Sequence, residues 1–234
     1  MKHKKIYLPL IAAVVFIMIF LVLYSGTFWP AMIFTVRYTV HGMDISNHQG
    51  EIDWGKIKKS GDRFVFIKAT EGKDYVDKYF GRNWRGASAA GLYKAAYHYF
   101  TLKSSGIDQA KNFINTVPVE NGCLPPVIDI EEKAPDKEKF NVQLTDFINA
   151  VEGSFNQKPI LYVIYPIYNE YIKGDFKGYS IWIRDTFLPP DLGSDRKWLF
   201  WQFCDRGKVD GIDAFVDLDV FNGKIEDLTN LLSK

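Results

Sequence analysis

The run Val127-Ile128-Asp129-Ile130-Glu131 is where the sequence first suggests chemistry. In an extended strand successive side chains alternate between faces, so Asp129 and Glu131 share one face and the two isoleucines take the other. Two carboxyl groups held close repel, and the repulsion raises the proton affinity of one of them. That carboxyl keeps its proton near neutral pH and can serve as a general acid while its partner stays ionised. Taken alone, the D-x-E spacing equally fits an acidic run, Asp129 to Glu132, that ends a strand in solvent. Two further positions add weight to the chemical reading. In Gly42-Met43-Asp44-Ile45-Ser46, Asp44 and Ser46 share a face, and Val216-Asp217-Leu218-Asp219 again alternates apolar with acidic residues. Carboxylates at several neighbouring strand ends exceed what solvation of a surface requires. Such oxygen ligands also suit Mg²⁺ or Ca²⁺. No phosphate-binding Gly-rich loop accompanies them, so acid–base chemistry with neither metal nor cofactor is the expectation.

To bring those residues together, the chain must supply strands that close on themselves. Short apolar runs alternate with amphipathic stretches along residues 41–234. Met43–Ser46, Phe64–Ala69, Lys94–Phe100, Pro126–Glu131 and Ile160–Tyr165 read as five strands. Helical faces follow each of them. Asp53 can cap the first helix, and Gly61 can end it. Phe140, Leu144, Phe147, Ile148, Val151 and Phe155 mark the cleanest helical face, and Pro166 suits the first turn of a short helix. Beyond Gly174 the helices fade, and Tyr179–Arg184, Leu199–Cys204 and Phe215–Val220 read as three more strands. Pro189-Pro190 forbids a regular crossover helix between the first two of these. A repeating β-α pattern implies parallel pairing, and eight strands suit closure. Fewer than 200 residues is short for a full eightfold barrel of about 250. The expectation is therefore an irregular TIM-like (β/α)5β3 barrel, with its site at the C-terminal ends of the strands. Strand alternation also nominates lining residues: Tyr97 or Tyr99, Tyr162, Trp182 and Gln202, some facing the groove and others the helices.

The N-terminus carries a separate signal. Met1-Lys-His-Lys-Lys5 is basic, and Ile6 to Tyr24 follows without a charged residue, close to the roughly 20 residues that cross a bilayer. Ser25-Gly26-Thr27 is a weak cleavage site, and Tyr24, Phe28 and Trp29 suit an interfacial belt. Residues 1–24 are expected to be an uncleaved signal-anchor with its N-terminus inside; the alternative is a long cleaved signal. Residues 25–40 then form a tether, and either way the domain at 41–234 is exported. A formal net charge of +1 leaves no electrostatic footprint for nucleic acid. The four histidines form no HExxH pair, and Cys123 and Cys204 read as buried thiols rather than a disulfide framework or zinc ligands.

At this point the sequence resembles a known family. Gly42-Met-Asp44-Ile-Ser46, Gln49-Gly50, Ile52-Asp-Trp54, Ile67-Lys-Ala-Thr-Glu-Gly72, Ala96-Tyr-His-Tyr-Phe100, Asp129-Ile-Glu131 and Val216-Asp217-Leu-Asp-Val-Phe221 look like the successive blocks of glycoside hydrolase family 25, the Chalaropsis-type lysozymes. The resemblance runs in order over about 41–223. It implies a (β/α)5β3 barrel that cleaves the β-1,4 bond between N-acetylmuramic acid and N-acetylglucosamine in peptidoglycan. A monomer without a cofactor is expected. Matched to the family pattern, Glu131 takes the general acid's position and Asp129 that of its partner carboxylate. Asp44 and Asp217 complete the acidic set. Asn47 stands where the family often has His, and Arg184-Asp185 where a small residue and an aromatic are common. Two other functions keep the same fold: a non-catalytic peptidoglycan-binding module, and a hydrolase of another acetamido glycan.

Overall fold

The computed structural model describes residues 4–194 and 196–234. Met1, Lys2 and His3 of the basic tip lie outside the described residues. The chain opens with α1 (Lys4–Tyr24), whose side chains from Tyr7 onward are apolar on every face. Its Tyr7–Tyr24 stretch is long and apolar enough to cross a membrane, and none of its residues is buried in the protein; only its last turn touches the barrel, where Arg206 donates to the Tyr24 carbonyl. A helix apolar all round is the pattern shared by membrane spans and signal sequences. Pro9 sits early in the helix.

After α2 (Met32–Thr35), β1 (His41–Ile45) leads into α3 (Trp54–Ser60) and β2 (Phe64–Glu71). β3 (Tyr75–Val76), α4 (Phe80–Ala90), β4 (Tyr93–Tyr99), α5 (Gly106–Thr116), β5 (Val127–Ile130) and α6 (Lys137–Phe155) follow. The chain ends with β6 (Ile160–Val163), α7 (Tyr165–Ile167), β7 (Ile181–Arg184), β8 (Phe200–Gly207), β9 (Val216–Phe221) and α8 (Ile225–Thr229). Local chemistry places the boundaries. Asp53 accepts from the N–H groups of Gly55 and Lys56 to start α3, and Gly61 ends it in the left-handed region. Asp136 accepts from Lys139 N–H to start α6. Along α6, Phe140, Leu144, Phe147, Ile148 and Val151 are buried, each worth about 1.5–3 kcal/mol of apolar burial.

Eight strands close into a barrel in the order β1-β9-β8-β7-β6-β5-β4-β2, with β1 pairing β2 to seal it. Pairing is parallel from β1 through β8. β9 departs from the parallel expectation, running antiparallel to both β8 and β1. Only residues 208–215 join β8 to β9, fewer than the roughly dozen that a parallel crossover needs. β3, absent from the sequence reading, is a hairpin return on the end of β2. α8 was also unforeseen; its Leu228 plugs the barrel floor beside Phe64 and Phe221.

The barrel interior changes character along its axis. Phe64, Phe66, Phe200 and Phe221 fill the lower part, with Phe64 and Phe200 ring centroids 5.0 Å apart. Above them the inward positions become Asp44, Asp129, Gln202, Asp217 and Asp219. Gly42 is required below Asp44, because a Cβ there would lie 2.5 Å from the Phe64 carbonyl oxygen. Outward residues such as Met43, Ile45, Ile128 and Ile130 pack in a separate layer against the helices. Where β7 and β8 lack helices, residues 25–40 cover the barrel instead. Ala31 is fully buried, and the Tyr38 ring meets Trp198 and Trp201 edge-on at 5.4 and 6.1 Å.

Candidate active site

Parallel closure puts the C-terminal ends of β1, β2 and β4–β8 at one mouth, joined there by the start of β9. Asp129 is the third residue of β5, and Glu131 stands one residue past its end. Asp44 on β1 pairs in register with Asp217 on β9, and Gly42 with Asp219. Asp44, Asp129, Glu131, Asp217, Tyr97, Tyr162, Trp182 and Gln202 thus surround one cavity of about 160 Å³. Tyr99 does not line it. It lies on the same face of β4 one step nearer solvent, its ring centroid 5.1 Å from Lys68 Nζ. A larger cavity of about 470 Å³ lies between the loops after β4 and β5. Its one carboxylate, Asp136, caps α6, so the acid–base chemistry belongs to the smaller cavity.

Two contributors escape the sequence reading: Asp205 and the assignment of Asp219 to the site. Arg184, marked in the sequence as a departure from the family pattern at a strand end facing the groove, does line the cavity. From Phe200 and Gln202 inward, simple alternation would point Cys204 at the mouth. A β-bulge between Gln202 and Cys204 breaks that period. Cys204 turns outward into the helix-side layer, and Asp205 faces the cavity. Arg184 Nη2 lies 3.1 Å from Asp205 Oδ2.

Polar tips tie the site together. Tyr162 OH donates to Gln202 Oε1 at 2.7 Å, Gln202 Nε2 donates to Asp44 Oδ2 at 2.8 Å, and Trp182 Nε1 donates to Asp219 Oδ1 at 2.8 Å. Trp182 and Tyr162 are only 2% and 5% exposed, so their rings belong to the barrel core and only their polar ends reach the acids. Asp129 Oδ1 and Asp219 Oδ2 are buried without a hydrogen-bond partner. His98 points away from the mouth. It bridges Thr70 and Gln109, and burial lowers its pKa to about 4, keeping it a neutral core residue. Cys123 and Cys204 are free, buried thiols.

Five carboxyl groups, Asp44, Asp129, Glu131, Asp205 and Asp217, line the cavity with Arg184, and a sixth, Asp219, is buried one step below them, so acidic groups outnumber the nearby cations Arg184 and Lys68. Burial raises the proton affinity of Asp44, Asp129, Asp219 and Glu131, and the charges of Asp217 and Asp219 push Asp44 further. Asp217 is raised from 3.8 to about 6, by burial first and then by Asp205. These raised pKa values give a definite sign to the pH dependence of stability. Their contribution is full below the ordinary carboxylate range and is lost as pH rises through the folded-state values, near 6 for Asp217. Asp219→Asn keeps the oxygen that accepts from Trp182 and removes a buried charge. Its Tm is expected to exceed the parent's by several degrees at pH 8 and to match it near pH 4. Thermal melts across that range check this, and a variant destabilised at pH 8 would refute it.

The family model for glycosyl hydrolases family 25 matches residues 43–212. The chain is 38% identical over 209 residues to the uncharacterized protein YegX of Escherichia coli (strain K12), spanning 85% of this chain and 77% of that protein. It is 30% identical over 201 residues to lysozyme M1 of Streptomyces globisporus, covering 79% and 68% of the two. The structure of a family 25 glycosyl hydrolase from Bacillus anthracis superposes with a TM-score of 0.79 at 40% identity, covering 83% of this chain and 94% of that one. The acid-lined mouth of a closed barrel and these similarities agree: the chain belongs to family 25 of the glycosyl hydrolases and is a glycoside hydrolase.

Proposed function

We propose that the enzyme is a muramidase that cleaves the β-1,4 bond between N-acetylmuramic acid and N-acetylglucosamine in peptidoglycan, with Glu131 as general acid and Asp129 assisting. The observation that carries this reading is the pair itself. Two carboxyl groups stand on one strand face at a barrel mouth, flanked by Asp44 and Asp217, with one oxygen of Asp129 buried and unpartnered. That oxygen is a ready acceptor for an amide N–H. The substrate's 2-acetamido group can supply it while its carbonyl oxygen attacks the anomeric carbon. Asp129 and Glu131 share protons. Burial and the charge of Glu131 favour a proton on Asp129 in the free enzyme. An N–H donated by the substrate stabilises ionised Asp129 and leaves the proton on Glu131, facing the glycosidic oxygen. This route retains configuration. Asp44 and Asp217 surround the departing sugar's site. Tyr97, Tyr162, Trp182 and Gln202 line the groove that takes the substrate, and Gln202 and Trp182 also hold Asp44 and Asp219 by hydrogen bonds. Tyr99 contributes at the rim.

Arg184 tunes the acid in this scheme. Its positive charge opposes the effect of burial on Glu131. Arg184→Gln removes that charge and strips Asp205 of its partner, so Glu131 holds its proton to higher pH. The alkaline limb of the pH–rate profile is expected to move up, and an unmoved limb would exclude the role.

The apolar α1 supports reading residues 1–24 as a single-pass signal-anchor and 25–40 as the link to a monomeric barrel at 41–234 outside the cytoplasm. A cell-wall hydrolase acts there, where its substrate lies. The deciding experiment treats peptidoglycan with the purified full chain and identifies the products by mass spectrometry. Reducing-end muramic acid is expected. Reducing-end glucosamine, released peptides, or wall binding without cleavage would each overturn the reading.

A further inference from the structure

We infer that the loop between β7 and β8 rests on the outer surface of the bilayer through Phe187 and Leu188, holding the catalytic mouth beside the membrane; this rests on the reading of α1 as an anchor. The end of α1 is docked at the mouth and not at the barrel floor. Arg206, near the top of β8, donates from Nη2 to the Tyr24 carbonyl at 3.0 Å and lies 5.1 Å from the Tyr24 ring. Gly26, at φ 71°, packs so closely that a Cβ would collide with the Arg206 carbonyl and the Phe215 ring. Phe215 immediately precedes β9, on the same rim.

From that point an apolar surface continues along the mouth. Phe187 and Leu188 are 62% and 59% exposed, and the Phe187 ring centroid lies 6.2 Å from that of Trp29, five residues after the helix ends. Their outward projection is built in. Asp185 Oδ1 accepts from the N–H groups of both Phe187 and Leu188 at 3.0 Å, fixing the turn that presents them. Large apolar side chains held outward next to a membrane-spanning helix suit the interfacial layer of a bilayer. Basic groups complete the match to lipid phosphates. Arg206 and Lys208 both lie 4.2 Å from the Phe215 ring, at the foot of the helix. With the loop seated, the mouth opens beside the bilayer, and the glycan it reaches is the stretch nearest the membrane.

Full-length protein in vesicles of phosphatidylglycerol and phosphatidylethanolamine tests this. Leu188→Cys, Val119→Cys and Phe20→Cys variants carry a small fluorophore, Cys123 and Cys204 being buried. Val119, exposed on the connection that leads into the N-terminal end of β5, samples the opposite end of the barrel. A label at 188 is expected to lose most of its fluorescence to a nitroxide on the lipid near the headgroup and to resist aqueous iodide. The label at 119 should do the reverse. If the label at 188 behaves like that at 119 while the label at 20 is quenched from within the lipid, the anchor stands and this inference falls. If the label at 20 escapes lipid quenching, the anchor reading fails and this one with it. Shielding of position 188 from both quenchers would assign the surface to a second protein copy and also overturn the proposal.

Discussion

Glu131→Gln is expected to lower kcat on peptidoglycan about 10²–10⁴-fold, the usual worth of a positioned general acid, while KM changes little. The amide matches the carboxyl in size and keeps its contacts, but it has no proton to give at the pH of catalysis. Substrate binding relies on the rest of the groove, so the loss falls on the chemical step. Folding should not suffer. Glu131 sits where burial raises its proton affinity, so ionisation there opposes folding at neutral pH and its removal relieves that cost. Two readouts separate loss of the acid from loss of structure. The variant's Tm at pH 8 should equal or exceed the parent's. An aryl glycoside whose leaving group needs no protonation should recover much of the rate. A variant within tenfold of the parent on peptidoglycan would move the acid to another carboxyl of the cluster.

Asp129→Asn is expected to cost about 10²–10³-fold in kcat, the range found when one preorganised electrostatic partner of a developing charge is removed. The buried Asp129 Oδ1 has no partner in the protein. Its charge is therefore free to stabilise the positive character that develops as the acetamido group attacks. Asn retains an oxygen to accept the substrate N–H but not the negative charge, so positioning survives while electrostatic support is lost. The stereochemistry of the parent enzyme checks the route. The first-formed product should carry the β anomer by NMR, and an α anomer would exclude assistance. A covalent sugar adduct on Asp129 after acid quench would instead make that carboxylate the nucleophile.

Much of the site was legible because strand periodicity is a local property. Asp129, Glu131, Asp44 and Asp217 each lie in a run where apolar and acidic residues alternate, and two-residue alternation decides which face a side chain takes. The same period nominated Tyr97 or Tyr99, Tyr162, Trp182 and Gln202 without deciding which of them face the groove; in the fold Tyr97, Tyr162, Trp182 and Gln202 line the cavity. Where it broke, the reading failed. The bulge after Gln202 hid Asp205, and no local pattern of residue types announces that bulge. Arg184 stands out in the sequence only as a departure from the family pattern, because a cation in an acidic mouth acquires its role only from neighbours distant in sequence. Tyr99 has the right face but lies one step beyond the cavity. Its depth depends on how far β4 extends past β5, which is a matter of register.

By itself the sequence determined the alternation of strands and helices, the count that closes a barrel, the apolar N-terminal helix and the strand faces that carry acids. Each of these follows from periodicity, composition and length, and therefore from residues near one another in the chain. Only the tertiary structure decided that β9 runs antiparallel, that residues 25–40 stand in for missing helices, and that five carboxyl groups share one mouth with Arg184 above a buried sixth, Asp219. It also decided which carboxyl groups lose water on folding, and so which of them hold protons. Those outcomes depend on closure, bulges and burial, which bring together groups that the chain itself keeps far apart.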